Sequence, residues 1–76
     1  MFTDYRLAPD LAEIQRLVGL SMAEVERALI LATLRTTHGN RTHAAAILDI
    51  SVRALRYKLV EYATAGIDIP PPHDGE

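Results

Sequence analysis

Between Gly39 and Leu59 the sequence reads GNRTHAAAILDISVRALRYKL, and only Asp49 and Ile50 separate two segments with helical signals. Asn40 is placed to cap the first, in which Ala44, Ala45, Ile47 and Leu48 supply small and apolar positions. Ser51 is placed to cap the second, which runs through Leu55, Leu59 and Tyr62. So short a connection forces two helices to cross at close range, and the small side chains of Ala44 and Ala45 make that approach possible. The pattern predicts a helix-turn-helix unit. When the second helix of such a unit is basic, binding to duplex DNA is the expected use.

The faces of that second helix sharpen the expectation. At about 100 degrees per residue, Val52, Leu55, Leu59 and Tyr62 fall on one side, and Arg53, Arg56, Tyr57 and Val60 on the other. Two guanidiniums and a phenol on one stripe suit phosphates and guanine edges, which Arg grips bidentately and Lys does not. The plain alternative is a solvated polar face. The start of a recognition helix lies deepest in the major groove, so Ser51, Val52 and Arg53 are placed to meet base edges, with Arg56 and Tyr57 one turn later. Arg53 suits the O6 and N7 of guanine, Val52 a thymine methyl, and Lys58 a phosphate.

The segment GNRTHAAAILDISVRALRYKLVEY, together with the upstream EVERALILATL, resembles the Fis-type helix-turn-helix. It is most similar to the C-terminal DNA-binding segment of NtrC-class bacterial activators, the flagellar regulators in particular, over roughly Met22 to Ala65. The resemblance implies a helical dimer reading a partly palindromic site, with Asn40, Arg41 and Thr42 on the DNA backbone and Ser51 to Lys58 in the major groove. Two positions depart from the family pattern. Asp49 stands where Gly is usual in the turn, and Asp tolerates positive φ better than most residues. Ala54 stands where a hydroxyl-bearing Thr is usual, which bears on affinity rather than on function.

A chain of 76 residues makes one small domain with limited burial. It has no cysteine to staple it, so oligomerisation is the expected source of further burial. No apolar run approaches the ~20 residues of a membrane span, and the N-terminus lacks the order of a signal peptide; a cytoplasmic, nucleoid-associated protein is expected. The net charge of −2 conceals an asymmetry: Arg35 to Val60 carries +4 and the remainder −6.

In chain order, Phe2, Tyr5 and Leu7 suggest an extended arm or a frayed terminus. Asp10 and Glu13 mark the start of a short amphipathic helix with a stripe of Leu11, Ile14, Leu17 and Val18, ending at Gly19. Ser21 and Glu24 repeat the capping-box signal for a longer helix that runs to His38 and stops at Gly39. That helix has two apolar stripes. Met22, Val25, Leu29 and Ala32 form one; Ala23, Ile30 and Leu34 form another about 150 degrees away, with Leu31 beyond it. One domain this small covers one stripe, so the second, comprising Ala23, Ile30, Leu31 and Leu34, is assigned to a homodimer interface. The alternative is that the first helix folds over it within a monomer. After Gly66 the tail GIDIPPPHDGE has three consecutive prolines and three acids, and is expected to be disordered. A polyproline docking motif is the other reading.

His38 and His43 lie five residues apart with no third ligand at metal-binding spacing, so no metal and no cofactor is expected. No enzyme is visible either: Ser51 has no paired His and acid, and no phosphate loop is present. A complete protein of this length would act by occupying, bending or bridging DNA, or by pairing with a larger relative. The initial Met and a first segment unlike the rest favour completeness; an excised piece would be the DNA-reading end of a larger activator.

The expected organisation is therefore an arm and short helix over 1–20, a dimerisation helix and helix-turn-helix over 21–65, and a tail over 66–76. The fold class is all-α, a four-helix homodimeric domain. Its expected function is sequence-specific recognition of duplex DNA in bacterial transcription regulation, with a larger Fis-type activator or RNA polymerase as further candidate partners. The rival from another class is a protein-interaction module that pairs with a larger Fis-type activator and modulates it.

Overall fold

The computed structural model describes residues 10–72. It contains α1 (Leu11–Gln15), α2 (Met22–Thr36), α3 (Arg41–Leu48) and α4 (Val52–Thr64). Among the described residues there is no β-strand, in keeping with the all-α expectation. The arm of Met1 to Pro9 lies outside them.

Each helix starts where a short polar side chain accepts a hydrogen bond from an otherwise unpaired backbone N–H. Asp10 accepts from Ala12 at 2.8 Å, Ser21 from Glu24 at 3.0 Å, Asn40 from His43 at 2.9 Å, and Ser51 from Ala54 at 2.9 Å. At α2 the capping box is complete, because the Ser21 N–H donates back to the Glu24 carboxylate at 2.8 Å. That bond holds the Glu24 carboxyl below the usual range. Its contribution to stability is thus present above the unfolded carboxyl pKa and fades as pH falls through the lowered folded value.

Three helices end in one hydrogen-bond pattern, the Schellman motif, in which a left-handed residue reverses the chain and the next N–H returns to the carbonyl five residues back. His38 (φ 55°) is the left-handed residue after α2, and the Gly39 N–H donates to Leu34 at 2.8 Å. Asp49 (φ 58°) follows α3, with Ile50 donating to Ala45 at 3.0 Å. Gly66 (φ 88°) follows α4, with Ile67 donating to Tyr62 at 2.9 Å. Asp49 therefore does adopt the left-handed turn that the sequence required of it.

These reversals stack α3 against both α2 and α4. The core is Ile30, Leu31 and Leu34 from α2, Ala44 and Ala45 from α3, and Leu55 and Leu59 from α4. Ala44 and Ala45 have no more than 1% of their surface exposed, so α3 meets its neighbours with almost nothing but backbone and methyl groups between them. Leu48, Ile50, Val52, Tyr62, Ile67 and Ile69 close the rim.

Two expectations are corrected by this packing. Ile30, Leu31 and Leu34 were assigned to a dimer interface, yet they form the centre of this chain's own core, while Ala23 is exposed and away from it. The reason is local: the turn through His38 and Gly39 swings α3 back onto the face that carries Leu31 and Leu34. The stripe left in the open is the other one, with Met22 at 88% and Leu29 at 57% exposure. The tail is the second correction. Ile67 and Ile69 pack against the core, so the chain directly after α4 does have something to bury; residues 73–76 lie outside the described region.

Because Leu34 is fully buried, truncation there opens a cavity at the centre of the core. Leu34→Ala is expected to cost about 2–5 kcal/mol, much of the stability of so small a domain. Urea denaturation followed by circular dichroism checks this, and a loss below 1 kcal/mol would show that Leu34 is not a core residue.

Candidate nucleic-acid interface

The left-handed corner at Asp49 and the cap at Ser51 fix the direction in which α4 leaves α3. Core packing then fixes its rotation. Leu55 and Leu59 are buried and Val52 and Tyr62 lie at the rim, so the opposite face of α4 is turned outward. On it stand Arg53, Arg56, Tyr57 (68% exposed) and Val60 (64% exposed). This is the stripe expected from helical spacing.

The other candidate residues divide differently. The Asn40 side chain is committed to capping α3, and Ser51 Oγ to capping α4. Arg41 is half-buried and its Nη1 donates to the Gly39 carbonyl at 2.9 Å, which holds the guanidinium beside the start of α3; Thr42 next to it is exposed. Val52 packs at the core rim, so the structure sets it apart from Arg53 and the outward stripe. Lys58 likewise departs from the expected grouping. It reaches across to α2, where its ammonium pairs with the Glu26 carboxylate, and this hydrogen bond raises the lysine above its ordinary pKa.

Two features of this region were missed in the sequence. Val60, noted there only as part of a stripe, adds an exposed apolar spot between the two arginines and the end of the helix. Ile69 comes back from beyond α4 and lines a groove together with Arg41, Arg56, Leu59, Val60 and Ala63. The available signal was the Gly66-Ile67 pair, a glycine with an apolar residue after it at a helix end, which marks a chain that folds back.

Before α2, the short helix α1 buries none of its residues. Ile14, Leu17, Leu20, Val25, Ala28 and Leu29 line an almost wholly apolar hollow between it and the start of α2. None of the described helices is long and apolar enough to cross a membrane.

The geometry of a basic, outward-facing second helix set at a tight corner agrees with the comparisons. The model of the bacterial regulatory proteins of the Fis family matches residues 21–62, more than half of the chain. The chain belongs to the Fis family. Its similarity to the transcriptional regulatory protein FlbD of Caulobacter vibrioides is 53% identity over 70 residues, covering 92% of this chain and 15% of that protein. The response regulator protein FleR of Pseudomonas aeruginosa is 44% identical over 52 residues, covering 68% of this chain and 11% of FleR. The DNA-binding protein Fis of Vibrio atlanticus is 40% identical over 50 residues, 66% of this chain and 51% of that one. The chain thus spans a small part of the first two relatives and about half of the third. No solved structure matches it. The Fis-type resemblance noted from GNRTHAAAILDISVRALRYKLVEY is borne out, and the domain is a helix-turn-helix of the kind found in DNA-binding regulators of transcription.

The pair between Lys58 and Glu26 makes a direct prediction. Glu26→Gln removes the carboxylate that stabilises the charged lysine, so the Lys58 pKa should fall toward its ordinary value in an NMR titration. An unchanged titration would mean that the pair does not persist in solution.

Proposed function

We propose that this chain binds duplex DNA sequence-specifically as a homodimer and serves transcription regulation. The observation that carries the reading is the outward face of α4, where Arg53, Arg56 and Tyr57 project from a helix whose rotation the core fixes. That face enters the major groove. Arg53, in the first turn, grips a guanine edge bidentately, while Arg56 and Tyr57 serve the next base or its phosphate. Arg41 and Thr42, at the start of α3, hold the DNA backbone, with Asn40 shaping the helix end behind them. Lys58 has a smaller part, since a phosphate must compete with Glu26 for it.

The dimer is carried by the apolar surface that the chain leaves uncovered. Leu20, Met22 and Leu29 are between 50% and 88% exposed, and Leu29 also lines the hollow beside α1. A second copy covers these side chains and sets two α4 helices for a two-fold site. Similarity to a DNA-binding protein Fis and to the regulators FlbD and FleR supports this reading.

Sequence selection from a random duplex pool tests the readout. The wild type should enrich a partly palindromic motif, and Arg53→Ala should lose preference at one symmetric pair of positions, at a cost of about 1–3 kcal/mol. An unaltered motif in that variant would remove Arg53 from base reading. With Arg41, Arg53 and Arg56 from each protomer giving on the order of six phosphate or near-phosphate contacts, affinity should fall about a thousandfold between 50 and 200 mM salt.

Leu29→Asp tests the interface. It places a carboxylate on the uncovered stripe, outside the core, so the protein should stay folded and sediment as a monomer where the wild type is a dimer. A monomeric wild type at high concentration would overturn the homodimer.

A further inference from the structure

On the outward face of α4 a shallow, mostly apolar hollow is lined by Arg53, Ala54, Arg56, Tyr57 and Val60, with Glu61 toward the end of the helix. Gripping a guanine needs donors, not an apolar surface, because that edge offers only acceptors in the major groove. Position along the helix separates the residues that line the hollow. Ala54 lies in the first turn of α4, where its N–H donates to Ser51 Oγ at 2.9 Å and its methyl group is fixed with the backbone. Tyr57 follows three residues on, the spacing that sets two side chains next to each other on one helix face, and 68% of its surface is exposed. Glu61 stands about 10 Å further along the axis than Ala54, at ~1.5 Å per residue, beyond the turns that meet base edges.

We infer that the hollow at Ala54 and Tyr57 receives the C5 methyl group of a pyrimidine, on a base pair flanking the guanine gripped by Arg53. This inference rests on the DNA-reading proposal above and gives that site a second specificity. In the major groove thymine alone of the four bases presents a methyl group, and the other groups there are hydrogen-bond donors and acceptors. An apolar hollow pressed on those polar edges strips their water without replacing it, whereas covering a methyl group is favourable. Arg53 and Arg56 flank the hollow, so this face draws a polyanion rather than an apolar protein surface.

Val52, the residue that its place in the sequence favoured for this contact, is turned to the core rim, which leaves the role to its neighbours on the outward face. Ala54 stands where a Thr hydroxyl is usual, and its bare methyl keeps the wall beside Arg53 apolar. The chemistry recognised is the methyl group and not the whole base. 5-Methylcytosine carries it at the same ring position as thymine, so a cytosine methylated at C5 is accepted at the same place and an unmethylated one is not.

The test uses the full chain and a duplex that it has itself selected. At each base pair flanking the guanine whose preference Arg53→Ala abolishes, two comparisons differ by the methyl group alone: thymine against deoxyuridine, and 5-methylcytosine against cytosine. At one of these flanking pairs the methylated member of both comparisons should bind about threefold to fivefold more tightly per methyl group. In Tyr57→Asn, and less completely in Ala54→Ser, that ratio should fall toward one while preference for the guanine stays. Neither substitution touches the core, so both variants should fold. Equal affinity for both members of each comparison overturns the inference and leaves DNA reading standing. A methyl preference that neither variant reduces places the methyl group elsewhere and overturns it too. If the wild type retards no duplex at any salt, the DNA-reading proposal fails and takes the methyl contact with it.

Discussion

Everything in this domain depends on how closely α3 lies against its two neighbours. Ala44 and Ala45 leave no room for a larger side chain, and the corner at Asp49 returns the chain so that Ile50 closes the same core. A left-handed residue other than glycine carries a conformational cost at such a corner. Asp49 bears it because the two hydrogen bonds of the motif, from its own N–H to Ala46 and from Ile50 to Ala45, leave little alternative once α4 is packed. Overpacking at either alanine would push the two helices apart and rotate α4, and the orientation of Arg53 and Arg56 would be lost with the core.

The division of labour around α4 follows from that rotation. Residues whose Cβ atoms point inward hold the helix, and those pointing outward are available for recognition. Residues at the boundary are drawn into local pairs. Lys58 is the clearest instance, since its position on the helix cylinder lies toward α2 and Glu26 meets it there. Exposed pairs of this sort are weak, so Glu26 tempers the positive charge beside the outward face of α4 without removing it. The overall −2 charge thus coexists with a local +4 from Arg35 to Val60.

Much of the fold was readable in advance, and the reasons are local. Asp10, Ser21, Asn40 and Ser51 are cap residues whose hydrogen bonds lie within three positions, so sequence suffices to place them. The outward stripe of α4 follows from helical period alone. What failed was non-local. Helical period reveals that α2 has two apolar stripes, but only the path of the chain through His38 and Gly39 decides that Leu34 goes inside and Leu29 outside. Helical period already set Val52 on the side of Leu55 and Leu59, and its position in the first turn was what suggested a base contact; Lys58 was assigned to a phosphate, and only the approach of α2 brings Glu26 to it. The tail was misjudged for its prolines and acids, which mask the apolar pair Ile67 and Ile69 that follows the glycine turn.

One measurement bears most directly on the outward face of α4 as a DNA reader. Titrating the labelled protein with a duplex that it has itself selected, and following backbone amide shifts, maps the contact without altering the chain. The largest shifts should fall at Arg41 and Thr42 and from Ser51 to Tyr57, with Leu11 to Leu20 in α1 and its following turn unmoved. Shifts confined to α1 and the first half of α2, or none at any DNA concentration, would contradict the account.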